Sequence, residues 1–404
     1  MSQIPSDADA GSKFRVPANL VIGSSQSGAM AAGRMAFSLV ALQLAAAPWQ
    51  VGILLALMSL FPALFIVQLG RWMDRVGTFR ITVTAVSAAL LAWLLAAGAP
   101  VIASFWVAAP FIGVSAVVAH VSSIRALGTD DDLSIRARNL GYLGACYALT
   151  HFVAPLSSGL MLDHFGASAM FLMLGIMPLG ALAVLLLSDR RTVAPVPPRG
   201  AAVGENSNIM TLLRMPSLRR WLVANGVFAT ALTIFPFVAS LHADQIGLSA
   251  AMTGWLIGAA AIGTVVIRTV TRKLVASYSP ALLLAGALFA TGAAYAVFAF
   301  VADIYGLVAI SFVLGIAVGL GMPVVTTMIY TEAPSDRVSE SLGLGTSLSM
   351  ALQTIVPLII GVITSLLGVK AMVCVLGLAL ALAAWESWRE SRAIMASSSE
   401  RPGS

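Results

Sequence analysis

Long apolar stretches, separated by short polar or charged segments, dominate this chain. Twelve such stretches occur, at residues 17–45, 50–70, 80–99, 102–124, 139–162, 167–187, 219–242, 250–271, 280–301, 304–329, 340–366 and 369–388. About 20 apolar residues are enough for one helix to cross a bilayer. A helix satisfies its own backbone hydrogen bonds in lipid, and the alternation typical of barrel strands is absent from the sequence. The pattern therefore predicts an all-α membrane protein with twelve transmembrane helices, called spans 1 to 12.

The second half of the sequence repeats the spacing of many glycine and proline residues of the first half, at an offset of 202 residues. Most matching positions hold glycine or proline, which set helix bends and close helix contacts. Pairs in register include Gly52 with Gly254, Gly113 with Gly315, Pro155 with Pro357, Gly159 with Gly361, and Gly166 with Gly368. Six spans in each copy give both copies the same direction through the membrane. Two parallel repeats about an axis along the membrane normal are a known transporter architecture.

The repeat also predicts the domain organisation. We expect an N-terminal tail at 1–16, six-helix bundles at 17–187 and 218–390, and a C-terminal tail at 391–404. Proline, glycine and polar residues cluster at 188–217, which is typical of a linker. Within this linker, residues 208–214 are equally compatible with a short surface helix and with a plain linker.

Composition and charge support a membrane protein and give its orientation. Hydrophobic residues make up 59% of the chain and charged residues 10%, whereas soluble domains carry about 25% charged residues. Of the 23 lysines and arginines, Arg34 lies within a span and Lys370 on the far side. All the others fall on the side of the N-terminus, which predicts that both termini are cytoplasmic.

The distribution of apolar and basic residues also predicts the location of the protein and its partners. The polar first 16 residues and the long first apolar run predict no cleavable signal peptide. Since the basic residues flank spans, the expected partner is the lipid bilayer of a bacterial inner membrane rather than nucleic acid. We expect a monomer.

The loop after span 2 carries the most specific motif. Residues 70–80 read GRWMDRVGTFR and resemble the G-x-L-x-D-R-x-G-R-R loop of the major facilitator superfamily, at the location where that family has it. With the span count and the repeat, the resemblance covers the whole chain. It implies two six-helix bundles that form a secondary transporter working by alternating access.

The resemblance also implies a role for this loop as a conformational lock. Gly70 and Gly77 would allow close approach and a tight turn. Asp74 would contact the cytoplasmic end of span 11, near residues 339–342, where a carboxylate at a helix N-terminus gains about 0.3–1 kcal/mol. Arg75 and Arg80 would tie the loop down. The second copy of the loop has Arg272 for Gly70 and Ala276 for Asp74, so the lock is expected in the first half.

Span 5 resembles a second family pattern, the G-x8-G-x3-G-P-x2-G-G sequence of antiporters. The corresponding positions hold glycine, proline or another small residue: Gly141, Thr150, Ala154, Pro155, Ser158 and Gly159. Small residues let helices approach closely, and a proline bends the helix. The resemblance implies an exporter of drugs or metabolites. The alternative is ordinary packing of small residues.

Arg34 is a charged residue in the middle of span 1. A charge at this depth costs about 2.5–3.5 kcal/mol even on conservative scales, so it usually faces a wet cavity. Helical spacing places small and polar residues on the same face: Ser24, Ser27, Ala31 and Ser38. No Asp or Glu lies in a span core. We therefore expect Arg34, with Ser27 and Ser38, to bind an anionic substrate group. Alternatively, Arg34 is structural and bonds to carbonyl or glutamine oxygens.

His151 is the residue expected to carry a coupling proton. It lies in the middle of span 5, and histidine changes charge near neutral pH. The repeat maps it onto Gln353 of span 11, so the two are expected to face each other across the pseudo-axis. His120, near the cytoplasmic end of span 4, is a second candidate. A hydrogen-bonded structural histidine is the alternative reading of His151.

Three further residues are expected to line a central cavity. Tyr147 shares the helix face of His151, and Asn225 and Phe237 belong to span 7, which Pro236 bends. Together with Arg34, Ser27, Ser38, His151 and Gln353 they complete the expected substrate-binding set.

The sequence lacks the motifs of enzymes and of cofactor sites. It contains no phosphate-binding glycine loop and no metal-ligand cluster, so we expect neither an enzyme nor a cofactor. The favoured function is proton-coupled export of a small organic solute, here an organic anion. A uniporter or anion exchanger without proton coupling, and a multidrug exporter of neutral or cationic compounds, remain as alternatives.

Overall fold

The computed structural model describes residues 7–129, 132–188, 209–334 and 337–399. This part of the chain is built from α-helices and contains no β-strand. In chain order the helices are α1 (Asp7–Gln43), α2 (Pro48–Val76), α3 (Thr78–Gly98), α4 (Ile102–Leu127), α5 (Leu133–Leu187), α6 (Ile209–Leu213), α7 (Pro216–Ile246), α8 (Ala250–Ser277), α9 (Pro280–Phe298), α10 (Ile304–Glu332) and α11 (Val338–Ser399). The short α6 lies where the sequence allowed a surface helix.

The two longest helices, α5 and α11, each contain two spans. Each is broken at a single glycine, Gly166 with φ 79° and ψ 179°, and Gly368 with φ 81° and ψ 169°. A positive φ is strained for residues with a Cβ, which explains why glycine stands at both positions. The two glycines are partners in the 202-residue repeat, so both copies turn from one span to the next in the same way.

The described helices supply the twelve predicted spans. Nine helices of this part of the chain are long and apolar enough to cross a membrane. Two of the nine, α5 and α11, hold two spans each, so the nine account for eleven spans. The twelfth is α1, whose length of 37 residues is ample but whose polar face lowers its hydropathy. The predicted fold class is thus confirmed.

The helices form two compact units. Of the described residues, those up to 188 and 247–255 form the first unit, and those at 209–246 and from 256 to 399 form the second. In the first unit α1 packs on α4 and α5, while α3 packs on the same two helices and α2 packs on α4. In the second unit α7 and α9 each pack on α10 and α11. Residues 247–255, which the sequence assigned to the C-terminal bundle, group with the first unit.

Close crossings of helix backbones recur at equivalent positions in the two units. A Cβ on Gly113 of α4 would collide with the carbonyl oxygen of Met58 on α2. A Cβ on Gly315 of α10 would likewise collide with the carbonyl oxygen of Ala260 on α8. Met58 and Ala260 are themselves 202 positions apart in the sequence. The repeat therefore holds for both partners of the contact.

Buried aromatic side chains fill the first unit between α1, α3, α4 and α5. Phe37 stacks on Trp93 with ring centroids 5.4 Å apart and an interplanar angle of 8°. Phe105 and Phe171 pack against Phe37 at 5.1 and 5.4 Å. This cluster fixes the rotation of α1 about its axis. It therefore also fixes the direction in which the polar face of α1 points.

The second unit combines aromatic packing with a hydrogen bond. Tyr295 of α9 corresponds to Trp93 in the repeat, and its ring meets Phe235 edge-on at 6.3 Å. Its hydroxyl donates to the carbonyl oxygen of Ala231 on α7 at 2.6 Å. A tyrosine can serve at this buried position because its hydroxyl has a partner.

Candidate functional site

Arg34 occupies the middle of α1 and is only 9% exposed. Its backbone carbonyl accepts a hydrogen bond of 2.7 Å from the Ser38 hydroxyl. Its guanidinium makes no hydrogen bond and no ion pair with any residue that the structure describes. Because an arginine stays charged at any working pH, this site holds a buried positive charge that the described residues do not neutralise.

The acidic side chains described in the first unit lie close to a helix end or, for Asp163, close to the break of α5 at Gly166. They are Asp74, Asp132 and Asp163. Asp132 caps α5, where its Oδ1 accepts hydrogen bonds from the hydroxyl and the backbone N–H of Ser134, both at 2.8 Å. These hydrogen bonds lower the pKa of the Asp132 carboxyl and keep it ionised. The carboxylates of Asp74 and Asp163 also bind other groups, as described below, so none of the three serves Arg34.

Ser27 and His151 connect the polar face of α1 to α5. The Ser27 hydroxyl and the His151 Nε2 are 2.8 Å apart and share a hydrogen bond. Both side chains are half-buried. Ser27 precedes Arg34 by seven residues, which is two helical turns and about 10.5 Å along the axis. The structure therefore brings Ser27 and His151 together, two turns of α1 from Arg34, and a single site that includes all three residues stays a prediction.

Tyr147 extends this cluster toward the C-terminal end of α4. Its hydroxyl lies 2.8 Å from Nδ1 of His120, with which it shares a hydrogen bond. Its ring stacks on the ring of His151, with centroids 6.4 Å apart and an interplanar angle of 9°. Sequence reasoning named all three residues but did not link His120 to the other two.

Gln26 is a polar residue near this site that sequence reasoning missed. It is 3% exposed, and its Oε1 accepts a hydrogen bond of 3.0 Å from the Ser115 hydroxyl of α4. Its buried Nε2 has no hydrogen-bond partner in the described part of the chain. The available signal was a glutamine within an otherwise apolar and small-residue span, next to Ser27.

Residues 70–80, which the sequence analysis treated as a loop, form the end of α2 and the start of α3 on either side of Gly77 and are held to α4. Asp74 Oδ1 accepts a 2.7 Å charged hydrogen bond from Nη1 of Arg125, at the C-terminal end of α4. Gly77 adopts φ 100°, a conformation that only glycine reaches without strain. Arg75 and Arg80 are exposed. The sequence counted Arg125 only as a flanking charge, and the expected contact of Asp74 with residues 339–342 stays a prediction, as do the roles of Arg75 and Arg80.

The small residues of the span 5 pattern make two different contacts. A Cβ on Gly28 of α1 would come within 2.7 Å of Thr150 Cβ, so Thr150 faces α1. A Cβ on Gly159 would collide with the carbonyl oxygen of Ala250, in the part of α8 that belongs to the first unit. Gly141 has open space beside it. The remaining three positions of the pattern are buried: Ala154, Pro155 and Ser158.

Asp163 adds a polar contact that the sequence did not predict. Its two carboxylate oxygens accept hydrogen bonds from the backbone N–H groups of Ala250 and Ala251, at 2.9 and 2.8 Å. These N–H groups belong to the first turn of α8 and lack partners within the helix. A carboxylate at this end is favoured by the helix dipole. Asp163 thus caps a helix other than its own.

Three predicted site residues belong to the second unit. Asn225 Nδ2 donates to the Ser349 hydroxyl at 2.9 Å and to the Gly345 carbonyl at 3.3 Å, so it links α7 to α11. Phe237 is 0% exposed and packs inside the unit. Gln353 is half-buried. Their roles in substrate binding stay predictions, and in this conformation Phe237 offers no surface to a solute.

No group of His, Cys, Asp or Glu suited to a metal ion occurs among the described residues. In the first unit α1 carries a buried guanidinium, and hydrogen bonds and ring contacts join two imidazoles, a phenol and the Ser27 hydroxyl. Such a set can bind an anion and exchange a proton.

The sequence profile of the Major Facilitator Superfamily matches residues 21–304 and 221–402 of the chain. The chain belongs to the major facilitator superfamily. Its twelve spans and parallel repeat agree with this membership, which makes it a multi-pass membrane protein and a secondary transporter. No curated protein sequence matches the chain.

Solved structures with a similar fold include a nucleoside transporter and POT family transporters. The nucleoside transporter NupG superposes with a TM-score of 0.76 at 11% identity, covering 93% of this chain and 99% of NupG. The POT family transporter PepTSo gives 0.73 at 14% identity, with 94% and 98% covered. A POT family transporter in complex with 5-aminolevulinic acid gives 0.74 at 12% identity, with 94% and 96% covered. At these identities the likeness establishes the fold alone.

Proposed function

We propose that this transporter exports a small organic anion by alternating access, in exchange for protons. Arg34 binds the anionic group of the substrate, and His151 carries the coupling proton. We place the protein as a monomer in a bacterial inner membrane, with both termini in the cytoplasm. The observation that carries the proposal is the buried guanidinium of Arg34, which has no partner among the described residues.

The energetics of Arg34 favour an anionic ligand. Its charge costs about 2.5–3.5 kcal/mol within a membrane span, and the described acidic residues of the first unit are bound elsewhere. A carboxylate or phosphate group can accept two parallel hydrogen bonds from a guanidinium. A substrate carrying such a group would therefore offset the cost of the arginine while it is bound.

Proton exchange is supported by the position of His151. Imidazole changes charge near neutral pH, and the hydrogen bond to Ser27 joins His151 to the helix that carries Arg34. The small-residue pattern of span 5 resembles that of antiporters, which favours export. An anion exchanger without proton coupling is the main alternative, because the span cores contain no carboxylate to act as a second proton carrier.

Uptake into proteoliposomes tests the proposal. Purified protein is reconstituted, and radiolabelled organic anions, organic cations and neutral drugs are offered with and without an imposed pH gradient. We expect transport of anions that the gradient accelerates. Arg34→Ala should reduce anion transport to background, and Arg34→Lys should also impair it, since lysine lacks the two-pronged geometry.

The matched control is Arg268→Ala, which removes an exposed arginine from α8. We expect this variant to transport like the wild type. Normal anion transport by Arg34→Ala would refute the anion site. Anion transport that ignores the pH gradient would favour an exchanger, and transport restricted to cations or neutral drugs would favour the multidrug alternative.

A further inference from the structure

The hydrogen bonds around Tyr147 have a consequence for how protons bind in the first unit. The Tyr147 hydroxyl is committed to His120 on one side, at 2.8 Å, and its ring lies parallel to that of His151 on the other. The rings of His120 and Tyr147 are also close, with centroids 5.6 Å apart. Tyr147 is therefore the physical link between the two histidines.

We propose that His120, Tyr147 and His151 form a single protonation unit, in which Tyr147 makes the charge state of one histidine depend on that of the other. The proposal rests on the proposed proton coupling and adds its mechanism. It assigns Tyr147 a positioning role in proton binding, in addition to the substrate contact that the sequence suggested.

The direction of the hydrogen bond explains the linkage. When Nδ1 of His120 carries no proton, the Tyr147 O–H donates to it. When His120 is charged, Nδ1–H donates to the phenol oxygen, and the Tyr147 hydrogen must turn to another acceptor. The bond thus reverses with the charge of His120, without any proton leaving the tyrosine.

The stacked ring transmits the charge of His151. A cation is attracted to the face of an electron-rich aromatic ring at about 6 Å. A positive charge on His151 would therefore interact with the ring of Tyr147, whose hydroxyl is hydrogen-bonded to His120. Two charged imidazoles beside one phenol would also repel each other. The unit should therefore hold one positive charge more readily than two.

The state of the unit reaches α1 through Ser27. Neutral His151 can accept or donate at Nε2 according to its tautomer, whereas charged His151 can only donate to the Ser27 hydroxyl. Ser27 lies two turns from Arg34 on the same helix. Protonation of His151 therefore changes the hydrogen bond to Ser27, which lies on α1, the helix that carries Arg34.

Other ionisable groups on the helices packed around the unit do not replace it. Asp74 binds Arg125, and Asp163 binds the start of α8. Besides these two carboxylates, the ionisable side chains described on α1, α3 and α5 outside the unit are Arg15, Arg34, Arg80, Arg136, Arg138, Tyr142, Cys146 and His164. His120 and His151 are the imidazoles that contact Tyr147.

Nuclear magnetic resonance of the full chain tests the proposal without a substrate. The chain has four histidines, and 15N-histidine labelling in lipid nanodiscs gives one titration curve for each. We expect His151→Gln to move the titration midpoint of His120 by about one pH unit, the scale at which sites titrate as a coupled pair. In a Tyr147→Phe background the same substitution should leave that midpoint in place.

Tyr142→Phe is the matched control, because Tyr142 is an exposed tyrosine on the same helix. In this background the coupling should persist. Unchanged signals of His164 and His242 verify that each variant is folded. A His120 midpoint that ignores His151→Gln, or coupling that survives Tyr147→Phe, would overturn the proposal. Coupled titration in a protein that transports no anion would instead refute the proposed substrate and leave the protonation unit standing.

Discussion

The two copies of the repeat share a backbone but not a chemistry. Gly166 and Gly368 break α5 and α11 with nearly the same angles, and Gly113 and Gly315 bring equivalent helix pairs into contact. These positions decide whether helices can bend and approach. A side chain at any of them would disturb a whole unit, which explains why both copies kept them.

The ionisable residues singled out in the first copy are replaced by non-ionisable residues in the second. At an offset of 202, Arg34, His120, Tyr147, His151 and Asp74 correspond to Pro236, Met322, Ser349, Gln353 and Ala276. In the second unit, the position equivalent to Tyr147 holds a serine that accepts a hydrogen bond from Asn225. The comparison assigns the proposed anion and proton sites to the first half, whereas Asn225 of the second half makes hydrogen bonds within its own unit.

The largest effect is expected from adding a side chain at the close helix contacts that both copies share. Gly113→Val and Gly315→Val place a side chain against a backbone carbonyl, which cannot move aside by changing a rotamer. Overpacking of this kind costs about 1–3 kcal/mol or more. We expect both variants to lose most of their monodisperse protein in size-exclusion chromatography and to melt at lower temperature.

The control for these variants is Gly180→Ala, at an exposed helical position where a Cβ meets open space. It should raise the melting temperature slightly, since alanine favours a helix over glycine by about 1 kcal/mol. If Gly315→Val folded normally while Gly113→Val did not, the two crossings would not be equivalent.

An exchange between the copies is the next test. We expect His151→Gln to flatten the dependence of transport on pH, because the first unit loses the proposed proton carrier next to Ser27. Adding Gln353→His should not restore it, since Ser349 and Met322 replace the tyrosine and histidine partners there. The pH dependence of both variants is measured as initial transport rates in proteoliposomes between pH 5.5 and 8, a range about the usual histidine pKa. Restoration by Gln353→His would show that the second copy can also carry the proton.

The smallest effect is expected at the loop of residues 70–80. Asp74 is 57% exposed at its side chain, and exposed ion pairs contribute about 0.2–1 kcal/mol. Asp74→Ala should therefore slow transport by no more than about fivefold and leave substrate affinity unchanged. Arg125→Ala should have the same effect if Asp74 acts through Arg125 alone.

Comparison of the single and double variants separates two roles of Asp74. Equal effects that do not add in Asp74→Ala with Arg125→Ala would assign the whole effect to this pair. A larger effect of Asp74→Ala alone would support the additional contact with residues 339–342. An altered apparent affinity in Asp74→Ala would contradict a purely conformational role.

The sequence by itself determined the spans, the repeat and the helix breaks. Hydropathy reports how long each apolar stretch is, and glycine and proline act on the backbone at their own positions. Both signals are local, so the register of 202 residues already predicted that Gly166 and Gly368 would be equivalent. The superfamily followed from the loop at 70–80 for the same reason.

Only the tertiary structure decided which polar groups meet. Ser27 and His151 are 124 residues apart, and Asp74 and Arg125 are 51 apart. Such pairings depend on the rotation of each helix about its axis, which packing such as that of Phe37 on Trp93 fixes. Apolar residues face both lipid and core in a membrane protein, so hydropathy alone does not encode this rotation. The cap of Asp163 on α8 and the link from His120 through Tyr147 to His151 became visible only once the helices had packed.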